Sequence, residues 1–267
     1  MSQDALLLQR SHDDQVLTIT FNRPNRGNSL NSAMMSQLTK AIREADADGE
    51  PHSNYDVDLT GSGRFFCTGM DLGPQDQLTI LSEMKSDNPP PSVFQLIQLC
   101  KKVTIAVMEG PALGGGVGIL FACDIKICTE SSWLQMPEVN RGIIPALISV
   151  VILPSLGYSL TKQLMLTGEK FTPSQLAVMG AVTQVTKEAT DTNQSLERYI
   201  QLLLLGAPGA QSKVKALLQY GMNHESSQMN KEAGRQLEAV MTSNEAAYGM
   251  QCFREKKKPD WKSLSKL

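Results

Sequence analysis

The sequence predicts an α/β fold followed by a helical C-terminal region, and three observations predict it. Val103-Thr104-Ile105-Ala106-Val107-Met108 is a nearly continuous apolar run, typical of a strand buried on both faces of a parallel sheet. Strand-like and helix-like patterns alternate through the first two-thirds of the chain. After Val185 the patterns are helical only. The 267 residues suffice for one large domain or a domain with a small appendage, and the division falls at 1–195 and 196–267.

Taken in order, Val16 to Phe21 is a β-rich run ended by the turn Asn22-Arg23-Pro24-Asn25. Met34, Met35, Leu38, Ala41, Ile42 and Ala45 recur at helical spacing within Ala33 to Ala45. Asp56 to Thr60 reads as a short strand before Gly61-Ser62-Gly63. Lys85-Ser86-Asp87-Asn88-Pro89-Pro90-Pro91 cannot be helix or inner strand and reads as an exposed loop. A helix from Val93 to Lys101 precedes the apolar strand. Gly114-Gly115-Gly116-Val117-Gly118 then opens a small-residue helix reaching Cys123, and Ile125 to Cys128 follows as a strand. The helical region comprises Leu196 to Leu205, Gln211 to Tyr220, Ser227 to Met241 and Glu245 to Lys257, broken at Gly206-Ala207-Pro208-Gly209. These helices bury little alone and should pack on the core or on another subunit.

Composition narrows the function. A formal net charge of −2 gives no electrostatic reason to expect a nucleic-acid partner. Five irregularly spaced cysteines without a C-x-x-C pair suit reduced thiols in an intracellular compartment. His12, His52 and His224 lie near no cluster with ligand spacing, so no metal site is expected. The start Met-Ser-Gln-Asp lacks the features of a signal peptide. The longest apolar stretch, Ile143 to Leu153, is interrupted by Pro145 and Ser149 and is too short for a bilayer, so no membrane insertion is expected. Ser265-Lys266-Leu267 matches the peroxisomal address, which an import receptor reads at the free carboxyl end.

No phosphate loop, nucleophile elbow or first-unit dinucleotide fingerprint is present. What the glycines at 114–116 can do is expose backbone: a strand-to-helix turn without side chains points N–H groups and a helix dipole at a ligand oxygen. Taken alone they serve as well for tight packing. A second segment, Gly63 to Leu72, also follows a strand and places Thr68-Gly69 before Met70. Two such turns can aim two amides at one carbonyl oxygen, and each donor of such an oxyanion hole lowers a barrier by about 3 kcal/mol.

Phe66-Cys67-Thr68-Gly69-Met70-Asp71-Leu72 resembles the F-x-x-G-x-D-[IL] segment of the crotonase (enoyl-CoA hydratase/isomerase) superfamily. Ile105 to Asp124, with Glu109-Gly110-Pro111-Ala112-Leu113-Gly114-Gly115-Gly116 and Ala122-Cys123-Asp124-Ile125, resembles its most recognisable motif. Likeness continues at Leu153-Pro154, Gly157, Leu166-Thr167-Gly168 and Gly180-Ala181-Val182, and returns from Tyr248 to Pro259. It covers nearly the whole chain. The resemblance implies a spiral of repeated ββα units with a C-terminal helical oligomerisation region, assembled as a homotrimer or hexamer. It implies that Met70 and Gly115 supply the oxyanion amides, that Arg26, Asn28, Leu30, Thr68, Gly69, Asp71 and Leu72 line the coenzyme A channel, and that Phe253 and Lys256 contact CoA from a neighbouring subunit. Read without the family, Arg26 and Lys256 are solvated surface charges. Coenzyme A enters as part of an acyl-CoA substrate, and no separate cofactor is implied.

Hydratases of the superfamily commonly use two glutamates. At the first of those positions this chain has Gly118; at the second it has Glu138, within Met136-Pro137-Glu138-Val139. One carboxylate in an apolar pocket suits a proton shuttle that moves a double bond from the 3 to the 2 position. Gly142-Ile143-Ile144-Pro145-Ala146-Leu147-Ile148-Ser149 also replaces the glycine-rich stretch of hydratases with bulky residues, as in isomerases. The expected activity is a peroxisomal 3-enoyl-CoA to 2-enoyl-CoA isomerase of fatty-acid oxidation. A hydratase with Glu138 alone and a non-catalytic acyl-CoA binder are the alternatives.

Overall fold

The computed structural model describes residues 4–47, 56–71, 73 and 90–264. The proline-rich loop expected around Lys85 lies almost wholly outside them. Among the described residues the strands are β1 (Leu6–Ser11), β2 (Val16–Phe21), β3 (Asp56–Gly61), β4 (Thr104–Met108), β5 (Ala112–Leu113), β6 (Ile125–Thr129), β7 (Leu134–Gln135), β8 (Lys170–Phe171) and β9 (Gln184–Thr186). The α-helices are α1 (Ser32–Ala47), α2 (Val93–Leu99), α3 (Gly115–Ala122), α4 (Ala146–Thr167), α5 (Pro173–Val178), α6 (Ala189–Leu204), α7 (Pro208–Asn223), α8 (Ser226–Met241), α9 (Asn244–Arg254) and α10 (Trp261–Leu264).

The main sheet runs β1-β2-β3-β4-β6-β9, antiparallel only between β1 and β2. A small sheet, β5-β7-β8, stands beside it. The chain therefore lays one strand in the large sheet, one in the small sheet and then a helix: β4-β5-α3, then β6-β7-α4. This is the repeated ββα spiral. Every residue of β4 is buried, as its unbroken apolar run requires. One face of the sheet carries the larger core, including Phe21, Leu59, Met108, Phe94 and Ile148 beneath helices α1 to α4. The other packs Val16, Ile105, Val107 and Ile127 against Ile200 of α6.

Two expectations change. The boundary at 195/196 falls inside α6, which covers the sheet. The helices that bury no residue, α7 and α8, begin only at Pro208, whose fixed φ suits a first helical turn. The apolar stretch after Ile143 belongs to a 22-residue helix, long and apolar enough by those measures to cross a membrane. Gly157 (φ 70, ψ 168) divides that helix, and Ile148, Val151, Ile152, Thr161 and Leu164 are buried in the protein.

Candidate active site

Two chain crossings build the site. Leu30 is buried and bonds on both sides of Met70: its N–H donates to Gly69 O (2.8 Å) and its carbonyl accepts from Asp71 N (2.9 Å). Successive residues of an extended chain point their polar groups to opposite edges, so the Met70 N–H faces away from Leu30. Gly115 lies on that side. A Cβ on Gly115 would sit 3.4 Å from Met70 N, and one on Gly69 only 3.0 Å from Gly115 N. The chain comes this close because neither glycine carries a side chain.

Gly115 opens α3, where a first-turn N–H has no intrahelical acceptor. Its neighbours are engaged: Gly114 N donates to Gln135 O (2.9 Å) and Gly118 N to Gly114 O (3.1 Å). Among the described residues, neither the Met70 nor the Gly115 amide donates to a protein acceptor. Two N–H groups without an acceptor among the described residues thus stand side by side at a helix N-terminus.

Glu138 arrives through the small sheet. β7 pairs with β5 in the register Leu113↔Gln135, and three residues later Glu138 lies in the 3-10 turn Pro137–Arg141. Its Oε1 is 2.6 Å from where a Cβ on Gly114 would be, at a backbone φ of +47°. Oε2 is buried without a hydrogen-bond partner. Burial raises its pKa above the ordinary carboxylate value, opposed by its own backbone N–H and the Arg141 charge. Such a group can hold a proton and give it back.

The position one turn beyond Gly114 on the same helical face is Gly118. A Cβ there would lie 2.4 Å from Ile148 Cγ2 and 3.0 Å from Phe94 Cε1. Apolar side chains fill the room a second carboxylate would need.

The remaining expected residues divide. Asp71 Oδ2 bonds Arg23 Nη2 (3.3 Å) and Ser29 Oγ (3.2 Å), and Thr68 N donates to Gly27 O (3.0 Å), so both fasten the Met70 segment to the 23–30 turn. Asn28 is fully buried, and its side chain is spent on the fold. Its Oδ1 accepts from Arg23 N (2.9 Å), and its Nδ2 donates to Ser62 O (2.8 Å) and Phe65 O (2.7 Å). Leu30 likewise faces the core. Arg26 is exposed on the 3-10 turn Pro24–Arg26. Phe253, 85% exposed, and Lys256 lie at the end of α9, and no hydrogen bond or ion pair among the described residues ties them to the Met70 cluster. Leu72, Ser265, Lys266 and Leu267 lie outside the described residues.

Sequence reasoning missed Gln135, whose carbonyl holds Gly114 and whose Nε2 donates to Gly168 O (2.7 Å), and Cys67, whose Sγ accepts from Gly69 N (3.4 Å). A polar residue inside the run Leu134 to Met136 was the signal for the first. Nothing marked the second.

The family model for enoyl-CoA hydratase/isomerase matches residues 11–264. The chain belongs to the enoyl-CoA hydratase/isomerase family. Among crotonase relatives, it is 33% identical over 244 residues to the enoyl-CoA hydratase AKT6-1 of Alternaria alternata, covering 90% of this chain and 78% of that one. It is 27% identical over 228 residues to the peroxisomal Delta(3,5)-Delta(2,4)-dienoyl-CoA isomerase of Arabidopsis thaliana, covering 79% and 80%. The structure of Pseudomonas aeruginosa AtuE superposes with a TM-score of 0.86 at 27% identity, covering 97% and 99% of the two chains. This crotonase-type chain is thus similar to proteins named for hydration and for isomerisation.

Proposed function

We propose that this enzyme moves the double bond of a 3-enoyl-CoA thioester to the 2 position in fatty-acid oxidation. One observation carries the reading: Glu138 packs against Gly114, next in the chain to the Gly115 amide, while the next turn offers Gly118 and an apolar wall. In this scheme both amides donate to the thioester oxygen, each lowering the barrier by about 3 kcal/mol. Glu138 removes a proton from C2, and the electron pair delocalises into the oxygen as a dienolate. The same carboxyl group returns its proton at C4 as the double bond forms between C2 and C3. The buried carboxylate's raised pKa supports both roles.

Arg26 is assigned to a CoA phosphate. The backbone of Asn28, Leu30, Thr68, Gly69, Asp71 and Leu72 is assigned to the CoA channel. Phe253 and Lys256 of a neighbouring subunit would complete it, in a homotrimer or hexamer joined through the C-terminal helices. Exposed Val214, Leu218, Met222 and Leu237 on α7 and α8 support such assembly. Ser265-Lys266-Leu267 supports recognition by a peroxisomal import receptor, as does the peroxisomal relative.

Hydration is the second reading, favoured by the names of the relatives at 33–35% identity. Supplying 3-hexenoyl-CoA and crotonyl-CoA separately distinguishes the two by absorbance of the conjugated thioester. Isomerisation makes absorbance rise with the first. Loss of absorbance with the second, and no change with the first, overturns the proposal.

A further inference from the structure

Gly118 N donates to Gly114 O (3.1 Å), so residue 118 lies one turn from Gly114 on the helical face where Glu138 packs. That space is taken. Ile148 Cγ2 and Cβ lie 2.4 and 3.0 Å from a Cβ built on Gly118, and Phe94 Cε1 lies at 3.0 Å. Ile148 comes from the first turn of α4, ten residues after Glu138, and Phe94 from α2; helices α2, α3 and α4 pack on one another here. Both side chains are buried, at 3% and 0% exposure. Neither offers a polar atom, and an ordered water needs about two to four polar partners.

Adding water across C2=C3 requires a water held at C3 while a proton reaches C2. Carrying one proton from C2 to C4 requires only one carboxyl group and a dry wall. We propose that Ile148, wedged against Gly118 and backed by Phe94, is the specificity-determining residue that excludes water and commits the site to double-bond migration over hydration. This rests on the isomerase reading above. Close helix packing alone would account for the short distances, but it predicts no change in product ratio when Ile148 is trimmed.

The test uses the full-length chain with 3-hexenoyl-CoA and crotonyl-CoA, following conjugated thioester and 3-hydroxyacyl product. Ile148→Ser, which removes Cγ2 from the Gly118 space and puts a hydroxyl there as a partner for water, is expected to raise the ratio of hydration to isomerisation by at least about tenfold. Ile148→Thr, which keeps a branched side chain but offers a hydroxyl, should move it the same way and serves if the serine variant does not fold. Gly118→Ala should lower both Tm and isomerase rate, and adding Ile148→Ala should recover part of each loss, because the 2.4 Å contact with Cγ2 is removed. An unchanged ratio in a folded, active Ile148 variant overturns the assignment, as does a Gly118→Ala protein as stable and active as the native one. Native protein that isomerises no 3-enoyl thioester overturns the isomerase reading itself, and this proposal with it.

Discussion

Gly114 and Glu138 claim one space: the carboxylate Oε1 lies 2.6 Å from the point a Cβ on Gly114 would occupy. Gly114→Ala must therefore displace Glu138 as well as strain a backbone at φ +47°. Misplacing a reacting group by about 1 Å can cost about a hundredfold in rate. Steady-state kinetics should show kcat reduced on that order, with acyl-CoA affinity within a few-fold of native. Native kcat in a folded variant would separate Glu138 from the chemistry.

Glu138→Gln keeps the shape and removes the base. A loss in kcat on the order of a thousandfold is expected, with CoA-thioester binding retained by calorimetry. Because burial raises the Glu138 pKa, the acid limb of native kcat/KM should lie above the ordinary carboxylate value of 4.5. Activity needs the ionised form, so it falls as pH drops through that raised value. The limb should be missing from the residual activity of the variant.

Asn28 and Arg26, two positions apart, should respond in opposite ways. Asn28→Ala removes three buried hydrogen bonds and leaves the Ser62 and Phe65 carbonyls without their donor. Denaturant unfolding should report a loss of about 3 kcal/mol or more. Exposed Arg26→Ala should change stability by less than about 0.5 kcal/mol and act through a higher KM for acyl-CoA.

Asp58 lies in the middle of β3, buried, with Oδ1 unpartnered and Oδ2 bonded by Thr18 (3.2 Å). Burial, with a lesser push from Glu109, moves its pKa from 3.8 up to about 6. The folded chain then holds this proton more tightly than the unfolded chain. The stabilisation is complete below the unfolded value and is lost as pH rises through about 6. Asp58→Asn should gain on the order of 2 kcal/mol at about pH 8 and little at about pH 4. Equal effects at both pH values would show that ionisation is not the cause.

The strands within Val16 to Phe21, Val103 to Met108 and Ile125 to Cys128 were legible because buried parallel strands are written as apolar, β-branched runs, and Asp56 to Thr60 because polar and apolar residues alternate before a glycine turn. β1 was not: it is an edge strand whose Leu7 and Leu8 are half exposed, so it carries no alternation. The two-residue strands β5, β7 and β8 are too short for any period, yet β7 delivers Glu138. α4 was hidden by Pro145, Ser149 and Pro154, although Pro145 caps the helix and Pro154 sits inside it, shortly before the break at Gly157.

The candidate site was legible where a local motif marks a close backbone approach, as at Gly69-Met70 and Gly114-Gly115. It was illegible where a residue's role depends on distant backbone. The Asn28 amide is held by the carbonyls of Ser62 and Phe65, more than thirty positions away, which no local pattern announces. Gly118 announces a missing carboxylate, but only the packing shows that Ile148 has taken its room.

The most direct test of a single Glu138 shuttle follows 3-hexenoyl-CoA deuterated at C2 through single turnovers in ordinary water, with product read by mass spectrometry and NMR. Deuterium at C4 of the 2-enoyl product is expected, because one carboxyl group carries the same hydrogen between the two carbons. Product whose C4 hydrogen comes wholly from solvent, even in the first turnover, would contradict it.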